Sequence, residues 1–103
     1  MPTYVMLTNL TADGVRTLKN NPGRVSEVNA EVEQIGAKVI SQYATLGQYD
    51  FVTIVEAPDD QTMAKVSVEL GSRGTMTSQT LSAIPARISR TRSDRGGQGR
   101  ELR

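Results

Sequence analysis

Three side chains in the middle of this chain have the chemistry of a reactive or ligand-holding group. Tyr49 and Asp50 are adjacent, just after Gly47-Gln48, and Glu56 follows six residues later. A carboxylate at Asp50 suits a general base or an anchor for a polar ligand, and a neighbouring phenol can donate to an oxyanion. The same residues also serve as plain turn chemistry: Gly permits the backbone reversal, and Tyr and Asp lock it through side-chain hydrogen bonds. Turn-locking is the reading favoured for this pair, because Gly and Asp punctuate turns so often. Glu56 and Lys38 are further polar groups for a cavity, but no spacing pairs them, and a Glu at a strand end is ordinarily solvated. Gly71-Ser72-Arg73-Gly74 could hold an anion with backbone amides and Arg73. It lacks the spacing of a phosphate loop, and a helix-to-strand turn explains both glycines.

The chain contains no Cys and no His. That removes disulfides, thiolate nucleophiles, zinc-thiolate sites, the commonest metal ligand and the commonest base near neutral pH. No metal and no cofactor are expected, and a non-enzymatic role is favoured. The alternative is a cofactor-independent enzyme or small-molecule sensor with Tyr49, Asp50 and Glu56 as its polar groups, in a cavity between two sheets.

The elements that must position these groups follow from periodicity. Residues 3 to 8 are β-prone and apolar on both alternations, as in a central strand with both faces covered. If the helices pack on Val5 and Leu7, then Tyr4 and Met6 face outward, with Val52, Ile54 and Glu56 or their alternates beside them. Polar residues 9 to 13 signal a helix start, with Val15 and Leu18 as its first buried side before Asn20-Asn21-Pro22-Gly23 interrupts it. The helix resumes at Arg24, where Val25, Val28, Val32 and Ile35 form one stripe, and Gly36 ends it. Residues 37 to 46 read as a strand, Gly47-Gln48 as the reversal, and 49 to 56 as its hairpin partner. Pro58 stops that strand, Asp59-Asp60 starts a helix with the stripe Met63, Val66 and Leu70, and residues 75 to 83 make an edge strand.

The order predicts an α+β, ferredoxin-like βαββαβ domain: a four-stranded antiparallel sheet with two helices on one face, plus an Arg-rich C-terminal tail. Strands one and three, the most apolar, should be central. At 103 residues there is room for one domain. With only three Tyr, one Phe and no Trp, its core is thin, and a second chain covering the open sheet face is the natural source of further burial. We expect residues 1–85 to be the domain and residues 86–103 the tail. The sequence shows no secretory leader and no apolar run long enough to span a membrane, so a cytoplasmic protein is expected.

Charge is divided between these parts. Residues 1 to 85 carry six basic and nine acidic side chains, and the tail carries six Arg against Asp94 and Glu101. Arg87, Arg90, Arg92 and Arg95 can therefore dock on the acidic body of a neighbouring subunit, or bind nucleic acid through phosphates. Docking is preferred, because no aromatic side chains interleave with the arginines to stack bases. The partners expected are further copies of this chain, in a dimer or larger homo-oligomer, with a small-molecule ligand as a second option and no membrane.

The run Gly47-Gln48-Tyr49-Asp50-Phe51-Val52, the segment Glu56-Ala57-Pro58-Asp59-Asp60, the opening strand Tyr4 to Leu10 and the ending Thr80 to Pro85 together resemble the GYD domain family of small bacterial and archaeal proteins. The resemblance covers residues 1 to 85. It implies a ferredoxin-like fold that associates through its sheet and implies no particular reaction. Two departures stand out: Gln48 separates the Gly from the Tyr, and the Arg-rich tail lies beyond the family pattern.

Overall fold

The first strand sets the two faces of the molecule. In the computed structural model, which describes residues 1–86, β1 spans Thr3–Leu10 with Tyr4, Met6 and Thr8 buried on one side and Val5 and Leu7 half-buried on the other. It is followed by α1 (Ala12–Asn20), α2 (Arg24–Ile35), β2 (Lys38–Ala44), β3 (Phe51–Glu56), α3 (Asp60–Gly71) and β4 (Met76–Ala83). All strands are antiparallel in the order β2-β3-β1-β4, which places the two most apolar strands at the centre, as expected, and β4 at an edge. The Arg-rich tail, including Arg87, Arg90, Arg92 and Arg95, lies outside the described residues.

The inward face is the reverse of the one expected. Tyr4 and Met6 lie against the helices, and Val5 and Leu7 belong to the open side. Both pairs are apolar, so alternation alone cannot choose between them. The phenol decides: Tyr4 donates to Asp60 Oδ1 at 2.5 Å, at the start of α3, so its long side chain spans the gap between sheet and helix and its hydroxyl is satisfied at the far end. That hydrogen bond, followed by burial and the negative charge of Asp60 and Asp59, pushes the Tyr4 phenol up to about 12. The core around it comprises Val32 of α2, Ala37, Val55, Ala57 and the α3 stripe Met63, Val66 and Leu70.

The helices number three where two were expected. Pro22 disfavours helical backbone at the residue before it, and Asn21 is correspondingly extended in φ at −142°, so the chain breaks and restarts after Gly23. Val28 and Ile35 pack on the core beside buried Val32, and Gly36, at φ 116°, closes α2 in the left-handed conformation. α3 begins where Asp59 Oδ1 accepts the Thr62 amide at 2.8 Å, which holds the Asp59 carboxyl below its usual range. Between β2 and β3 the reversal at Gly47-Gln48 sits inside a six-residue loop, 45–50, because the strands end earlier than the alternation suggests.

Of the two α1 residues expected to face inward, Leu18 is half-buried against the inner cavity and Val15 is not. Val15 is 53% exposed, and Gly14 is the buried residue. The helix start is pinned to the turn before β4: the Thr11 amide donates to Thr75 O at 3.0 Å and its hydroxyl donates to Gly74 O at 2.8 Å. Only a residue without a side chain allows that approach, since a Cβ at position 14 would stand 2.0 Å from the Thr75 carbonyl oxygen. Gly14→Ala should therefore lower stability by roughly 1–3 kcal/mol, the usual range for forcing extra atoms into a packed contact. Urea unfolding measures this, and an unchanged midpoint would mean that α1 does not rest on the 74–75 turn.

Candidate functional site

The chemically suggestive residues of the sequence are well separated in space. Asp50 is tied to the backbone: its Oδ2 accepts the Leu10 amide, its own amide donates to Thr8 O, and its carbonyl accepts the Thr45 amide, each at 2.8 Å. The Tyr49 carbonyl accepts the Thr45 hydroxyl at 2.6 Å, and its phenol reaches across the end of β1 to Gln79 Oε1 of β4 at 3.3 Å. These bonds fasten the 45–50 loop to the rest of the sheet. Glu56 lies at the opposite end of β3, roughly 20 Å from Asp50 along an extended strand, with Lys38 and Thr3 as its cross-strand neighbours. Within one chain the three do not form a single cluster.

What the sheet does bring together is an apolar open face. Val5 and Leu7 of β1 stand opposite Ile54 and Val52 of β3, with Leu81 of β4 beside Val5 and Tyr43 of β2 beside Val52. Among the described residues no helix covers these side chains, and Tyr43 is 60% exposed. From the strand rise and spacing the face measures roughly 20 by 20 Å. Glu56 and Lys38 mark one corner and Tyr49 with Gln79 the other end.

The opposite side of the sheet holds a second feature that the alternation pattern does not announce. Between the sheet and α1–α2 lies a cavity of about 220 Å³, walled by apolar groups such as Met6, Val28, Val32, Val39 and Phe51. A bulge puts a polar group into it. The register of β2 against β3 slips between Val39 and Ser41, so Ile40 is the extra residue. Beyond the bulge Gln42, opposite Thr53, faces the helices, and Tyr43 turns to the open face. Asn29 Nδ2 of α2 donates to Gln42 Oε1 at 2.9 Å, and Gln42 Nε2 donates to Thr53 Oγ1 at 3.1 Å. Thr53 is 6% exposed and Thr8, on the neighbouring strand, 5%.

The rim of this cavity carries paired charges. Arg73, after α3, bonds Glu31 of α2 and reaches Glu69 at 3.0 Å, and Arg24 lies 3.1 Å from Glu27 and 3.6 Å from Glu31. Arg73 beside it holds the Glu31 carboxyl below the usual range, chiefly through their hydrogen bond. Arg73 is thus an ion-pair partner in a helix-to-strand turn.

The family model for the GYD domain matches residues 4–89. The chain belongs to the GYD domain family. The resemblance carried by residues 47–60 is thereby borne out, and this GYD protein has a close curated relative. A protein of Thermus thermophilus, named glutamine synthetase and cystathionine beta-lyase binding protein, is 51% identical over 86 residues, covering 82% of this chain and 90% of the relative. A Thermus thermophilus protein known from its crystal structure is 23% identical, with a TM-score of 0.55 over 84% of this GYD chain and 96% of that one, a likeness of fold. Among the described residues no helix is long and apolar enough to cross a membrane.

The Arg73–Glu31 contact makes a pH-dependent prediction. A carboxyl whose folded pKa is depressed contributes stability above its unfolded pKa, and that contribution is lost as pH falls through the folded value. Glu31→Gln should therefore be less stable than the wild type at pH 7, with the gap closing as the pH drops below 4.5, the ordinary glutamate value. Paired thermal melts from pH 7 to pH 3 check this, and a gap independent of pH would assign the loss to packing.

Proposed function

We propose that this protein is a non-enzymatic, homo-oligomeric binding module that associates with metabolic enzymes. The single observation that carries the reading is the apolar face of Val5, Leu7, Val52, Ile54, Tyr43 and Leu81, which no helix covers among the described residues and whose roughly 20 by 20 Å outline is of the size that often marks a binding surface. Such a face can stack on its own copy about a twofold axis, because the same residues meet themselves across the axis. The relative named for binding glutamine synthetase and cystathionine beta-lyase supports the other half of the reading, that an enzyme is the partner.

In this assembly the sheet makes the subunit contact and the outer, helical surface remains for the enzyme. Residues 86–103 act as a basic strap that docks Arg87, Arg90, Arg92 and Arg95 on the acidic body of the neighbouring subunit. Tyr49 and Glu56 then sit at the margins of the interface, where a small ligand trapped between two sheets would meet them. Asp50 stands next to Tyr49 in the same loop.

Native mass and enzyme capture test the two halves together. The full chain should run as a multiple of its 11.2 kDa subunit, a chain ending at Pro85 should form a smaller or weaker assembly, and Ile54→Asp should give a folded monomer. Immobilised wild-type protein should retain purified glutamine synthetase or cystathionine beta-lyase from the same source organism at a fixed stoichiometry. A wild-type monomer that retains neither enzyme would overturn the proposal.

A further inference from the structure

We propose that the cavity beneath α1 and α2 binds a small, uncharged, mainly apolar molecule that presents a carbonyl oxygen to Thr8, Thr53 and Gln42. This site lies on the covered side of the sheet, away from the open face, and does not depend on the assembly proposed above.

The space itself is the first observation. Protein interiors pack as densely as organic crystals and leave few voids larger than a water molecule. This cavity of about 220 Å³ is partly open to solvent, which gives a ligand a way in, and an engineered apolar cavity of roughly 150 Å³ already admits benzene. The walls contributed by Met6, Val28, Val32, Val39 and Phe51 are suited to an aromatic or branched aliphatic body.

The polar end selects the rest of the ligand. Thr8 is 5% exposed, lines the cavity, and among the described residues its hydroxyl has no hydrogen-bond partner. A buried polar group left in that state is unfavourable, so a partner inside the cavity would satisfy it. Thr53 Oγ1 accepts from Gln42, which leaves its own proton free to donate. Gln42 Oε1 is held by Asn29, and one of the two Gln42 amide protons is used on Thr53, leaving the other available. Three donors on adjacent strands line the cavity, and each has a proton not committed to an acceptor. The ligand is neutral because Arg24 and Arg73 at the rim are already matched by Glu27, Glu31 and Glu69. The bulge at Ile40 is what turns Gln42 toward this end of the cavity, and bulges are over-represented beside functional sites for this kind of re-aiming.

The test uses two probes of one shape. Acetophenone carries the carbonyl oxygen, and α-methylstyrene replaces it with a methylene group. Titrated into isotopically labelled full-length protein, acetophenone should give saturable shift changes at Thr8, Thr53 and Gln42, with an affinity roughly 3- to 10-fold tighter than that of α-methylstyrene, the worth of one neutral hydrogen bond. Thr8→Val, which keeps the side-chain shape, should retain both probes and lose most of that preference, with the spectrum of the free variant reporting its fold. Failure of either probe to saturate, shift changes confined to other parts of the protein, or equal affinities in the wild type would overturn the proposal. So would a folded Thr8→Val protein that keeps the full preference. If that variant does not fold, the wild-type comparison still decides.

Discussion

The extra residue that β2 carries against β3, at Ile40, is the constraint from which both faces of the sheet take their character. A strand alternates strictly, so without the bulge Val39, Ser41 and Tyr43 would share one face. With it, Val39 and Gln42 point to the helices and Tyr43 to the open side. One insertion therefore places an amide over the core and an aromatic ring on the exposed surface. The polar chain from Asn29 through Gln42 to Thr53 and the apolar patch beside Val52 are two consequences of the same slip.

The helical layer is secured by a few specific contacts at its edges as well as by its modest core. Tyr4 bonds Asp60 at the start of α3, Gly14 lets α1 rest on the Thr75 carbonyl, and Arg73 clasps Glu31 of α2. Together they hold three helices over the sheet, around a core whose side chains are mostly Val, Met, Ala and Leu. Space remains between α1–α2 and the strands because no large aromatic other than Phe51 reaches into it. Among the described residues the opposite face has no such layer. The fold thus leaves an apolar cavity on one side of the sheet and an apolar face on the other.

Much of this fold was legible in the residues. The central strands announced themselves by being apolar on both alternations, α3 by the Asp59 cap and its Met63, Val66 and Leu70 stripe, and the end of α2 by Gly36. Other features were hidden for physical reasons. Val5 and Leu7 are as apolar as Tyr4 and Met6, so the inward face depended on a hydrogen bond to a residue 56 positions away. Gly14 matters through its approach to Thr75, which no local pattern encodes. The bulge lay within a segment where Val39, Ser41, Tyr43 and Ile40, Gln42, Ala44 alternate about equally well, so Gln42 gave no sign of facing inward. Tyr49 and Asp50, placed by alternation at the start of a strand, lie in the loop before it, and their bonds to Gln79 and Leu10 fasten that loop to strands distant in sequence.

The division of the sheet at Ile40 is open to direct measurement by nuclear Overhauser contacts in solution. The account predicts contacts from the Gln42 side-chain amide to the Asn29 side chain on α2, and from the Tyr43 ring to Val52 on the open face. Contacts from the Tyr43 ring to Val28 or Asn29, with the Gln42 amide facing away from α2, would contradict it, because β2 would then run without its bulge and neither face would carry the groups assigned to it.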